Sequence, residues 1–349
     1  MRAPRTGVRL ASSLLLFTMF SVVPLALTRA AAAPAAPVPC DQTKGPCWTP
    51  GTGSLPWQFQ LQGTLNPAGG CLYASTDYIN TAITATAWNG ATNIAPKVFD
   101  IDIYQDAACN GGVNNVLVTR AVADIHARGA KAIAYMSAGT AENFRPDYSQ
   151  YVSFNNSCNG CLLGNTVGGF KDERWLNLSD DGSVTGINPN TGATETPAQF
   201  IRDELTARIA QAKLGGFDAV EFDNVDSYEN RNGFRTTYAQ QLAFNESIAN
   251  LAHANGYTVA LKNDVGQAND LQPYFDFAIS EQCFQYRECN YPPPGLQVWP
   301  STYGKAVFNV EYKGKLSNIC PLANSSSYNF NSAFKDVNLY DLPWTPCRG

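Results

Sequence analysis

The segment Glu221-Phe222-Asp223-Asn224-Val225-Asp226 follows an apolar run and places carboxylates where a strand should carry core residues. The two-residue period of a strand sets Glu221, Asp223 and Val225 on one face and Phe222 with Asn224 on the other. Other apolar runs repeat the anomaly: Asp100 and Asp102 within Val98 to Ile103, Lys262 with Asn263 and Asp264, Glu281 after Ile279-Ser280, and Glu311 after Val310. Asn224 and Asp226 alone would be ordinary turn residues. Several charges converging from different strands are costly in a core, because each buried charge costs several kcal/mol unless paired. They suit a reactive site.

Cleavage of a glycosidic bond asks for two carboxylates and no metal, one protonating the leaving oxygen while the other supports or attacks the anomeric carbon. Asp223 and Glu281 are the natural pair, and no cofactor or metal is expected. Trp57, Tyr135, Trp175, Tyr228, Tyr286 and Tyr312 fall near strand ends and could stack on sugar faces. Other chemistries find little material. His126 and His253 are the two histidines of the chain, and both fall in the C-terminal halves of expected helices, where a solvated or capping role is ordinary. A histidine-based triad or metal site is therefore disfavoured. The chain has no Gly-x-Ser-x-Gly elbow, His-Glu-x-x-His or phosphate-binding loop.

The elements that must position these residues form a repeating unit of amphipathic helix, glycine and short apolar strand, the mark of α/β architecture with a parallel sheet. Ile201, Leu205, Ile209 and Ala212 share a helical face that ends at Gly215-Gly216 before a strand over Asp218 to Val225. Phe244, Ile248, Leu251 and Ala252 do the same before Asn255-Gly256 and a strand over Tyr257 to Lys262. Further strands are expected over Gln58 to Leu61, Lys97 to Ile103, Lys131 to Met136, Phe275 to Glu281, Ala306 to Tyr312 and Val337 to Tyr340. Eight strands close a (β/α)8 TIM barrel, an α/β fold whose site lies at the strands' C-terminal ends. An open doubly wound sheet is the alternative, but no Gly-rich loop follows the first strand. The polar stretch Ser157 to Thr196 reads as an insertion lying over the mouth.

Residues 1–33 carry Arg2, Arg5 and Arg9 ahead of an apolar run and then small residues, the order of a secretory signal peptide. Residues 34–50 read as a linker or N-terminal extension and 51–349 as the barrel. Cleavage would lower the net charge from −5 to −9. A secreted, acidic, monomeric protein is expected, with no nucleic-acid partner and no membrane association after signal removal. All 10 cysteines follow the leader, which in an oxidising compartment allows up to five disulfides stapling the loops. Cys158 and Cys161 lack a second pair at zinc spacing and read as structural.

Trp57-Gln58-Phe59-Gln60-Leu61, Tyr135-Met136-Ser137-Ala138-Gly139, Arg174-Trp175-Leu176, Gly216 to Asp226, Leu261-Lys262-Asn263 and Ser280-Glu281-Gln282-Cys283 resemble, in order, the strand motifs of glycoside hydrolase family 114, the endo-α-1,4-polygalactosaminidases. The resemblance implies a (β/α)8 barrel that hydrolyses α-1,4-linked galactosamine polymers without a cofactor. It implies Asp223 and Glu281 as the catalytic pair, with Asp223 the nucleophile, Glu281 the acid/base and the anomer retained. Phe222 and Asn177 stand where Pro and Asp are common in the family, so Asn177 takes no carboxylate role. A disulfide between Cys283 and Cys289 would hold the loop after Glu281. Trp57, Asp100, Asp102, Tyr135, Trp175, Glu221, Asn224, Tyr228, Lys262 and Glu311 are the expected substrate-binding residues. The acidic ones among them, Asp100, Asp102, Glu221 and Glu311, would attract the ammonium groups of a cationic polysaccharide. Two alternatives stay open: a non-catalytic polysaccharide-binding barrel, and an α-glycosidase of another galacto-configured substrate.

Overall fold

A computed structural model describes residues 36–349; the leader read at residues 1–33 lies outside the described residues. Eight parallel strands follow one another around the sheet in chain order: β1 (Trp57–Gln60), β2 (Val98–Asp102), β3 (Lys131–Ser137), β4 (Ala219–Asp223), β5 (Thr258–Lys262), β6 (Phe277–Glu281), β7 (Val307–Glu311) and β8 (Asn331–Lys335). A ninth, β9 (Trp344–Pro346), runs antiparallel to β8. This sequential order has none of the reversal that a doubly wound sheet requires. The first and last parallel strands meet through side chains: Lys335 Nζ donates to Gln58 Oε1 at 2.7 Å, Leu55 N to Asn331 Oδ1 at 2.9 Å. The result is a nearly closed (β/α)8 barrel in a single domain.

The eighth strand is a correction. Val337 to Tyr340, read as a strand, is a loop in which Leu339 takes φ 55° and Val337 is largely exposed. The strand is instead Asn331–Lys335, whose buried residues include Asn331, Ser332 and Lys335. Its polarity hides it from a hydrophobic-run reading.

The helices form where caps and periodicity agree. For α3 (Pro197–Gly215), Thr196 accepts from Gln199 N, Pro197 opens the first turn, and Gly216 closes it at φ 83°. For α4 (Tyr238–Ala254), Thr237 and Gln240 form a capping box. α1 (Thr119–Ala127) precedes β3. His126 and His253 serve one repeated device at the strands' N-terminal ends. His126 Nε2 lies 2.7 Å from Asp218 Oδ2, which also accepts Ala132 N, and His253 Nε2 lies 2.8 Å from Asp276 Oδ2, which also accepts Val259 N. His253 is buried, not solvated as expected, its ring held against Asp276 ahead of β6.

Between β3 and α3 the chain makes α2 (Tyr148–Ser157) and a three-stranded antiparallel sheet of Thr140–Glu142, Phe170–Leu176 and Leu163–Val167. The insertion thus starts earlier than Ser157. Residues 38–47 dock on the loop after α4, with Lys44 Nζ donating to Ala254 O at 2.8 Å and Cys47 N to Gly256 O at 3.1 Å. All ten cysteines pair, as Cys40–Cys47, Cys71–Cys109, Cys158–Cys161, Cys283–Cys289 and Cys320–Cys347. Among the described residues no helix is long and apolar enough to cross a membrane.

Candidate active site

The C-terminal ends of β2 to β6 open into a cleft of about 580 Å³, walled on one side by the insertion and on another by the loop from Val337 to Tyr340. Asp223 and Glu281 both line it. Three strands end there with the same backbone device. The residues following Asp223, Lys262 and Glu281, namely Asn224, Asn263 and Gln282, have φ of 61°, 48° and 58°. Left-handed backbone stops the ladder and turns the chain away, so the last side chain of each strand is left facing the cleft. Asparagine tolerates that conformation better than most residues.

Lys262 ties the strand ends together. Its buried ammonium lies 2.8 Å from Glu221 Oε1, 3.3 Å from Asp223 Oδ1 and 3.7 Å from Glu281 Oε2, above the ring of Phe59. Tyr135 Oη and Asn224 N each donate to Asp223, both at 2.8 Å. Asn263 Nδ2 donates to Glu281 Oε2 at 3.1 Å, Tyr312 Oη donates to Glu281 Oε1, and Glu281 N donates back to Asn263 Oδ1 at 2.8 Å. Burial and the adjacent carboxylates hold both tyrosines well above their ordinary range, so each stays a hydroxyl donor.

Beneath this layer Asp100 and Glu221 are fully buried. Burial and the neighbouring Glu221 charge push the Asp100 carboxyl well up; burial also raises Glu221, against the pull of Lys262. Asp100 is therefore the protonated member, bonded to Glu221. A shared proton keeps a single negative charge below the lysine.

Of the expected substrate contacts, Asp102, Tyr135, Asn224 and Lys262 line the cleft. Asp100 and Glu221 do not reach it. Trp57 does not either: it stacks on Phe59 and packs against Phe308 inside the barrel, 1% exposed. Trp175 is buried on the insertion sheet opposite Thr140. Glu311 faces outward, accepting from Phe284 N and Asn309 Nδ2, because the strand period turns Phe308 and Tyr312 inward. Tyr228 packs on Tyr238, its hydroxyl turned to Asp264 and Glu229. Tyr286 is exposed away from the cleft, whereas Tyr312 lines it.

Several lining residues escape the sequence reading because they belong to the insertion: Glu142, Phe144, Arg145, Phe170 and Glu173. Arg145 forks onto Glu142 at 2.6 and 3.0 Å and reaches Asp102 Oδ1 at 2.7 Å. The local signal the chain offers for them is an acid and an arginine three residues apart, Glu142 and Arg145, close enough in sequence to pair. Burial, Glu142 and Asp223 raise Glu173 to about 8, and burial with Asp223 and Glu229 raises Asp226 to about 6.

A parallel barrel whose fourth and sixth strands bring carboxylates to one cleft, without histidines nearby, is the architecture of a barrel glycoside hydrolase. Residues 39–349 match the model of glycoside-hydrolase family GH114, and the chain belongs to that family. Among solved structures, the chain is similar to Aspergillus fumigatus Ega3 in complex with galactosamine, at 26% identity over 84% of this chain and 95% of that one, with a TM-score of 0.59. It also matches the glycoside hydrolase domain of PelA from Pseudomonas aeruginosa, at 11% identity over 82% of this chain and 96% of that domain, with a TM-score of 0.47. No curated protein sequence matches the chain significantly.

Proposed function

We propose that the protein is a secreted endo-acting hydrolase of α-1,4-linked galactosamine polymers, with Asp223 as nucleophile and Glu281 as acid/base. The observation that carries this reading is the single ammonium of Lys262 lying 3.3 Å from Asp223 and 3.7 Å from Glu281. Those distances cap the gap between these two oxygens at their sum, about 7 Å, which is compatible with the roughly 5–5.5 Å separation of retaining carboxyl pairs. Asp223, the nearer of the two to the lysine, attacks the anomeric carbon. Glu281, the more exposed of the two, gives its proton to the leaving glycosidic oxygen. It then takes a proton from the water that releases the sugar from Asp223, restoring both groups.

The substrate reading draws on family GH114 and on the galactosamine bound to Ega3. The cleft agrees in charge, with Asp102, Glu142, Asp223, Asp226 and Glu281 set against Arg145 and Lys262, and with Glu173 as a further carboxyl. Secretion is supported by the leader pattern of residues 1–33 and by ten fully paired cysteines.

The test incubates the mature protein with a galactosamine polymer, its fully N-acetylated counterpart and an α-galactan, beside Asp223→Asn and Glu281→Gln. Release by wild type and a loss of at least about a thousandfold in both variants is expected. Undiminished release by either variant would remove that residue from the mechanism. The first-formed anomer, read by NMR, should be α.

A further inference from the structure

We propose that Glu173 selects a free amino sugar over its N-acetylated counterpart by ion-pairing the substrate's ammonium from the insertion wall of the cleft. This rests on the galactosamine reading above and deepens it to one residue. Each cation in the cleft is already committed. Arg145 spends its fork on Glu142 and its remaining nitrogen on Asp102, and Lys262 serves Glu221, Asp223 and Glu281. Glu173 lines the same cleft, on the strand Phe170–Leu176 opposite Glu142, and among the described residues its carboxylate accepts one hydrogen bond, from the Thr140 hydroxyl at 3.3 Å from Oε2. Among the described residues no basic side chain lies within ion-pair distance of it. The groups around it are Glu142 on the adjacent insertion strand, Asp223 at the end of β4, Tyr135 on β3 and, farther off, Arg145. An amino sugar seated over Asp223 would supply the missing cation.

The protonation state follows. With its carboxyl raised to about 8 by burial, Glu142 and Asp223, Glu173 holds a proton at pH 7 in the empty cleft. An arriving ammonium favours the anion, so the proton leaves to solvent as the ion pair forms. An N-acetyl group brings no charge and releases no proton.

The experiment uses the full mature chain carrying Glu281→Gln to stop turnover, with and without Glu173→Gln. Binding of a de-N-acetylated galactosamine oligomer and of its N-acetylated form is followed by calorimetry at pH 7 in two buffers of different ionisation heat. The Glu173-containing protein should release close to one proton per amino oligomer bound, and Glu173→Gln should release none and lose about tenfold in its preference for the amino form. Equal release and equal preference in both proteins overturns the role of Glu173 and leaves the substrate reading intact. Failure of both proteins to bind the amino oligomer, with binding of the α-galactan instead, overturns the substrate reading itself. Far-ultraviolet circular dichroism and the melting temperature establish that Glu173→Gln is folded, and Glu173→Asp, which keeps the carboxyl, should keep the release.

Discussion

Gly139 and Asn224 pass so closely that a Cβ on Gly139 would sit 1.7 Å from the Asn224 carbonyl oxygen. The contact joins the end of β3 to the turn that presents Asp223, and hydrogen bonds reinforce it: Ala138 N donates to Asp223 O at 2.9 Å and Asn224 Nδ2 to Ser137 Oγ at 3.0 Å. Gly139→Ala cannot be relieved by a rotamer change, since the obstacle is backbone. The Asp223 turn must move instead, and a displacement of about 1 Å at a reacting group can cost on the order of a hundredfold in rate. We expect kcat to fall by about that factor while the far-ultraviolet spectrum is unchanged; wild-type kcat would refute the coupling.

Lys262 separates a structural from a catalytic contribution. Removing it strands Glu221 beneath the cleft, and breaking a buried pair costs about 3–5 kcal/mol. Lys262→Met should lose stability of that order in urea unfolding. Adding Glu221→Gln should restore much of it, because the orphaned charge goes with the substitution, without restoring turnover. A double variant no more stable than Lys262→Met would mean that Glu221 is not the residue Lys262 neutralises.

Much of this arrangement is legible in the chain. The helices with clear caps, such as α3 and α4, and the strands with apolar runs stand where periodicity puts them. So do the carboxylates at the ends of β4 and β6. Other placements depended on which face of a strand meets the interior. Glu311 belongs to the same period as Asn309, and the aromatic pair Phe308 and Tyr312 took the inward positions. Asp100 and Glu221 do point inward, but one layer too deep to touch substrate. The insertion is legible as a segment, yet the fold of its sheet, and with it the meeting of Glu142, Arg145 and Glu173, follows from antiparallel pairings over 30 residues that local patterns do not encode. The eighth strand lacked the apolar run that marks the others.

The Cys283–Cys289 bridge begins two residues after Glu281, on the short helix Cys283–Tyr286, and both half-cystines are buried. It closes a short loop, for which chain entropy gives about 2 kcal/mol. Its larger role is to hold the turn at Gln282, whose φ of 58° is unfavourable for a residue with a long side chain. Replacing both cysteines by alanine should lower the melting temperature modestly and kcat about tenfold or more. Replacing Cys158 and Cys161, away from Glu281, should leave kcat near wild type. Equal kinetic losses in the two double variants would show that the bridges act through global stability alone.

Asp264 gives the pH dependence a definite sign. It is 2% exposed, accepts from Asn245 Nδ2 at 2.9 Å, and is raised to about 9 by burial and by Asp226. An unfolded aspartate titrates near 3.9. Between those values the folded protein holds a proton that the unfolded chain has lost, so this group makes stability fall as pH rises, by up to about 1.4 kcal/mol per unit. Its full contribution is present only below the unfolded value and is gone above about 9. Asp264→Asn removes the titration, keeps an oxygen for Asn245 and suits the left-handed φ of 39° at this position. The variant should therefore be more stable than wild type at pH 8, by a much smaller margin at pH 5, and close to it only below about pH 4. Unfolding curves at pH 8 and pH 5 decide the matter, and a variant less stable at both would mean that the carboxyl is needed as a charge.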